Sequence, residues 1–158
     1  MGGKISYELE KRLEAEGYRA KYLFISGSRI PSIPEPKPIY HLPDEAFKRE
    51  LGRFEGTPKE ILENQELLDF FLPMLRADFT MDETYYDKAG VVLHTPISAF
   101  GGEKDGEADE SAICEWGKYT DNDFDYRIFP GGHFYLRDYE DEVISEVERR
   151  LQGMINGG

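Results

Sequence analysis

The octapeptide FPGGHFYL, residues 129–136, sets a histidine behind a proline and two glycines, with aromatic residues on either side. The heptapeptide AFGGEKD, residues 99–105, sets an aspartate behind a second pair of glycines. A carboxylate beside an imidazole fixes the ring's tautomer and stabilises its charged form, which leaves the far nitrogen to act as a general base. Asp105 and His133 are separated by 133 − 105 = 28 residues, room for one helix and one strand. Adjacent parallel strands ending in these two turns would bring the pair together. Both residues also admit plainer roles: an aspartate after Gly-Gly suits a turn or cap, and a lone histidine among aromatics suits a packed core. His41, His94 and Cys114 show no close ligand spacing of the kind zinc sites use, so neither metal nor cofactor is expected.

The elements that must carry the pair read as alternating strands and helices. In ISYELEKRLEAE, residues 5–16, Ile5, Leu9 and Leu13 recur at helical spacing, with Gly17 as the C-terminal cap. KYLFIS at 21–26 is a short apolar run that predicts a strand buried on both faces. The proline-rich RIPSIPEPKP must be loop. A helical block follows over about 44–86. It opens with DEAFKREL, continues with TPKE as a capping box carrying Pro58 at the first helical position, and ends in a stripe of Leu67, Leu68, Phe71, Leu72, Leu75 and Phe79, with Pro73 as a kink or break. TPISAFGG and DYRIFPGG predict two further strands, SAICEWGKY a short helix between them, and Val143, Val147, Leu151 and Met154 the apolar stripe of a closing helix.

This order predicts an α/β fold: a parallel sheet flanked by helices, interrupted by an inserted helical block over the sheet. Both glycine turns then fall at the carboxyl ends of strands, where open α/β sheets build their sites. A chain of 158 residues suits one domain. A net charge of −13 argues against a nucleic-acid partner, and no stretch has the length or apolarity of a membrane span. A single cysteine fits a reducing, cytoplasmic setting.

Taken together, RIPSIPEPKPIYHLPDEAF, LLDFFLPMLRADFTMDETY, PISAFGGEKD and FPGGHFYL closely resemble the type II thioesterases. These α/β-hydrolases serve nonribosomal peptide and polyketide synthases and are related to the medium-chain thioesterase of fatty-acid synthesis. The resemblance covers Met1 to about Leu136. It implies that Asp105 and His133 are the family's acid and base, that the helical block is its lid over the acyl channel, and that the partner is an acyl or peptidyl carrier protein. KRELGR, with Lys48, Arg49 and Arg53, is the best basic patch for docking such an acidic partner, although it also reads as a solvated helix face.

The family's nucleophile elbow reads Gly-His-Ser-Met-Gly-Gly, and this sequence matches it from the residue after the serine, as Met1-Gly2-Gly3. The resemblance therefore gives the Met1 nitrogen one place in the oxyanion hole. None of Ser6, Ser26, Ser28, Ser32, Ser98, Ser111 and Ser145 lies in a G-x-S-x-G turn. Three expectations follow. These 158 residues are a partial hydrolase domain without the nucleophile, they are inactive by themselves, and KYLFIS has an unpaired edge that leaves the chain marginally stable or self-associating.

Overall fold

The computed structural model describes residues 1–54 and 56–156, with side chains as far as Gly153. The chain divides into two compact units. One is residues 31–88 together with Met1, and the other joins residues 2–30 to 89–158.

The second unit is built on three parallel strands, β1 (Leu23–Ser26), β2 (Ile97–Gly102) and β3 (Phe124–Phe129), in the order β1-β2-β3. Leu23 pairs with Ile97, and Ile97 with Phe124, so all three carboxyl ends point to one edge. Every residue of β2 is buried. Alternation along the strands supplies two cores, one on each face. Leu23, Ile25, Ile97 and Ala99 pack with Tyr7, Ile113, Trp116 and Tyr119. Phe24, Phe100 and Phe129 pack on the other face with Tyr135, Val143 and Val147.

Four helices complete this unit: α1 (Gly2–Ala15), α5 (Glu110–Cys114), α6 (Tyr135–Asp138) and α7 (Glu140–Asn156). A 3₁₀ turn over Glu115–Tyr119 extends α5. Gly17 ends α1 as expected: its φ is +83°, and the Tyr18 N–H reaches back to the Leu13 carbonyl at 2.8 Å.

The inward face of α1 differs from expectation. Ile5 and Leu9 are 52% and 57% exposed, while Tyr7 and Glu10 are buried. Glu10 can turn inward because the Ala20 N–H and the Thr95 hydroxyl donate to its carboxylate at 2.9 and 2.5 Å. Polar satisfaction reverses the face that apolar spacing predicts. A similar substitution occurs on α7, where Val143, Glu146 and Arg150 are buried and Leu151 is exposed. Arg150 donates to Asp125 on β3 at 2.9 Å and to Glu146. The Met154 side chain lies outside the described residues.

β1 pairs on one side only, with β2, among the described residues. It alternates buried and half-buried residues, so it is an outer strand, not one buried on both faces.

The 31–88 unit holds α2 (Asp44–Leu51), α3 (Lys59–Leu62) and α4 (Gln65–Thr84). Its core joins Ile39, Phe47, Leu51 and Leu68 to Leu72, Leu75 and Phe79. Arg76 of α4 donates to the carbonyls of Tyr40 and Leu42 and to Asp44, while its guanidinium covers the Phe47 ring. Glu83 accepts the Ile39 and Tyr40 N–H groups, and so pins the proline-rich loop to α4.

Three details here depart from the sequence reading. α4 runs through Pro73 without a break, with core contacts on both sides of it. Pro58 is the N-cap of α3 and no side chain caps that end, so TPKE does not act as a capping box. Leu67 faces outward with Phe70, Met74 and Met81, which gives α4 a second apolar stripe away from this core. Two of the three KRELGR cations are engaged: Lys48 pairs with Glu45 and Asp69, and Arg53 with Glu50. No helix among the described residues is long and apolar enough to cross a membrane.

Candidate active site

The carboxyl ends of the three strands hold the candidate site. β2 closes on Gly101 and Gly102, and β3 leads into Pro130, Gly131 and Gly132. Two backbone hydrogen bonds stitch these turns together, Glu103 N–H to the Phe129 carbonyl and Lys104 N–H to the Gly131 carbonyl, each 2.8 Å. A Cβ on Gly102 would stand 2.2 Å from the Gly132 carbonyl oxygen, so only glycine allows this approach. Gly131 takes φ +103°, a conformation open to glycine.

The turns so joined bring Asp105 and His133 into contact. His133 Nδ1 lies 2.8 Å from Asp105 Oδ2. The aspartate side chain is fully buried, while that of His133 is 37% exposed. Asp105 Oδ1 accepts the backbone N–H groups of Glu107 at 2.8 Å and Ala108 at 3.2 Å. The carboxylate is thus fixed by three donors and the ring by one carboxylate.

Electrostatics follow from that geometry. Burial pushes the Asp105 carboxyl up, but the hydrogen bonds from His133, Glu107 and Ala108 outweigh it and leave the group below its ordinary value. The bond to Asp105 raises the His133 imidazole above its ordinary value, against the opposing effect of burial. With Asp105 ionised, Nδ1 must be the donor of that bond. The neutral ring then carries its lone pair on Nε2, the arrangement a general base needs.

These shifts predict how stability depends on pH. His133 contributes fully below the ordinary imidazole value, and its contribution is lost as pH rises through its raised folded value. Asp105 contributes above the ordinary carboxylate value, and its contribution is lost as pH falls through its lowered folded value. The Tm difference between the native chain and His133→Asn should therefore be largest between about pH 4 and 6.5 and shrink on both sides. A difference that stays flat from pH 3 to 9 would contradict the ion pair. His94, raised by Asp121, is common to both proteins and cancels.

The other sequence candidate, the Met1 nitrogen, forms an ion pair with Asp82, whose Oδ1 lies 3.0 Å away. Residues that spacing did not single out also border the pair. Gly27, at the end of β1, approaches the His133 ring closely. Next to it, the Ser26 hydroxyl and the Tyr135 phenol lie 2.7 Å apart. Tyr135 is buried and stacks on Phe129 at 5.1 Å, and burial above all pushes its phenol up to about 12. The one sequence signal for them was that FISG is a strand ending in glycine, like the other two.

Known proteins resemble this chain over most of its length. A family model described as the thioesterase domain matches residues 1–151. Thioesterase PikA5 of Streptomyces venezuelae is 34% identical over 152 residues, which cover 96% of this chain and 54% of that protein. The gramicidin S biosynthesis protein GrsT of Aneurinibacillus migulanus is 36% identical over 154 residues, covering 96% of this chain and 60% of that protein. Among solved structures, YbtT, a type II thioesterase from the yersiniabactin NRPS/PKS pathway, matches with a TM-score of 0.87 and 29% identity, over 97% of this chain and 63% of that one. ClbQ from the colibactin NRPS/PKS pathway matches with a TM-score of 0.87 and 28% identity, over 99% of this chain and 67% of that one. The chain thus spans little more than half the length of the curated relatives. With a thioesterase match over nearly its whole length and an α/β-hydrolase arrangement of parallel strands, the chain belongs to the thioesterase family.

Proposed function

We propose that this chain is the acid–base portion of a serine thioesterase that hydrolyses acyl thioesters on the phosphopantetheine arm of an acyl or peptidyl carrier protein. The role is editing, the removal of stalled or misprimed acyl groups from a nonribosomal peptide or polyketide synthase in the cytoplasm. One observation carries the reading: a buried, ionised Asp105 holding Nδ1 of a half-exposed His133 at the carboxyl edge of a parallel sheet. In the reaction, a serine hydroxyl attacks the thioester carbonyl while His133 Nε2 takes its proton. The ring returns that proton to the departing thiolate, leaving an acyl-enzyme. It then takes a proton from water as the hydroxide attacks the ester carbonyl, and gives that proton to the departing serine oxygen, which releases the acid and restores the serine.

Ser26, Ser28, Ser98, Ser111 and Ser145 direct their hydroxyls to other groups. On this reading the nucleophile belongs to a segment outside these 158 residues, which alone supply acid and base but no turnover. The Met1 nitrogen is one oxyanion donor in the same scheme. The 31–88 unit is the lid: the outward stripe of Leu67, Phe70, Met74 and Met81 supplies apolar surface for an acyl chain. Reading the coding DNA upstream of Met1 is the direct test. An in-frame Gly-His-Ser supports the scheme, and its absence favours a remnant or a carrier-binding module without chemistry.

The outer edge of β1 supports a further part of the proposal, that the isolated chain self-associates through it. Size-exclusion chromatography should show species larger than a monomer, growing with concentration. A sharp monomer peak across a hundredfold range would exclude it.

A further inference from the structure

We propose that Gly27 is a positioning residue for His133: the space left by its missing side chain is the seat of the imidazole, and that seat keeps Nδ1 on Asp105. The inference rests on the acid–base reading above and adds to it the wall against which the base is set.

Gly27 has a φ of +54° and is tied to β2 by its N–H, which donates to the Phe100 carbonyl at 2.9 Å. The backbone there cannot easily retreat. A Cβ at this position would lie 3.0 Å from His133 Cε1, 3.3 Å from its Nδ1 and 3.6 Å from Asp105 Oδ2. The ring atoms nearest to such a Cβ are the hydrogen-bonding nitrogen and the carbon next to it. Any side chain would therefore crowd the ring from beside its 2.8 Å contact with Asp105 and turn it out of line with the carboxylate.

The neighbouring residue fixes the other half of the seat. Ser26 Oγ meets the Tyr135 hydroxyl at 2.7 Å, and Tyr135 lies two residues beyond His133. Its N–H returns to the Gly132 carbonyl at 3.2 Å. Two consecutive residues of the β1 end thus grip the histidine loop, one by a hydrogen bond and one by clearance. Asp105 and Glu107 are the carboxylates acting on the ring.

The test is an NMR titration of the His133 imidazole in this chain, comparing native protein, Gly27→Ala and Gly17→Ala. Gly17 is the control for backbone strain: its φ is +83°, and a Cβ there would meet nothing within 4 Å. Gly27→Ala should lower the His133 pKa by about half a pH unit or more, toward the ordinary imidazole value, as the Asp105 bond weakens. It should also shift or broaden the low-field Nδ1–H resonance. Gly17→Ala should lower the Tm and leave the titration in place. A folded Gly27→Ala protein that titrates like the native one overturns the proposal. If Gly27→Ala does not fold, the double variant with His133→Ala decides. Folding restored by removing the ring supports the seat, and a double variant that also fails to fold overturns it. The readout needs no substrate, so a negative result removes the role of Gly27 while thioester hydrolysis stands or falls by its own assay.

Discussion

Replacing His133 with alanine should lower kcat/KM for acyl-thioester hydrolysis by at least about 10,000-fold, in protein assayed with a nucleophile-elbow segment joined ahead of Met1. The magnitude follows from the proposed role, in which one ring takes the serine proton, delivers it to the thiolate and then activates water, so that its loss affects every step. Asp105→Asn should have an effect of about the same size by a different route. An amide in place of the carboxylate can donate to Nδ1, which turns the ring into the tautomer that carries its proton on Nε2. The geometry survives while the base is lost. Thiol release from an acyl-carrier substrate measures both variants. Unchanged turnover in His133→Ala would take the ring out of the mechanism, and near-native turnover in Asp105→Asn would reduce Asp105 to a turn residue.

The second large effect is structural. Gly102→Ala should destabilise the fold by about 3 kcal/mol, because the new methyl meets backbone that cannot rotate away. Its Cβ would stand 2.2 Å from the Gly132 oxygen and 2.8 Å from the Gly131 oxygen. Relief requires the two turns to part, which breaks the Glu103 and Lys104 hydrogen bonds and draws Asp105 away from His133. Gly101→Ala is the informative comparison. The nearest atoms there belong to the side chains of Ile113 and Ile128, which can turn aside, so about 1 kcal/mol is expected. Urea unfolding of the three proteins gives the values. Equal losses at 101 and 102 would mean that the turn-to-turn approach is not the constraint.

The paired glycines explain why the centre of the site was legible before any coordinates. Runs ending in Gly-Gly mark strand ends, and β2, buried throughout, and β3, buried only at Phe129, lie where those runs predict them. A spacing of one helix and one strand then places Asp105 and His133 on adjacent turns, and their contact follows from parallel pairing. What escaped was set by tertiary partners. Glu10 is buried because Thr95, 85 residues away, donates to it. Helical periodicity sees only the apolar count of each face and so chose Ile5 and Leu9. Arg150 is buried for the same kind of reason, through Asp125 and Glu146. Pro73 does not break α4, since apolar contacts at Leu68, Leu72, Leu75 and Phe79 hold both halves. Gly27 escaped because clearance is invisible in sequence: a glycine that ends a strand looks the same whether or not a ring rests against it.

The residue 31–88 unit leaves and rejoins the chain at nearly one point, where the Asp87 N–H donates to the Pro31 carbonyl at 3.0 Å. A detour whose two feet touch imposes little closure constraint on the segments it connects, whatever its contour length. Its contents are therefore free to be rewritten, shortened or exchanged while β1 and β2 keep their register. On the lid role proposed above, acyl preference diverges in this excursion without any change to the chemistry of the sheet edge.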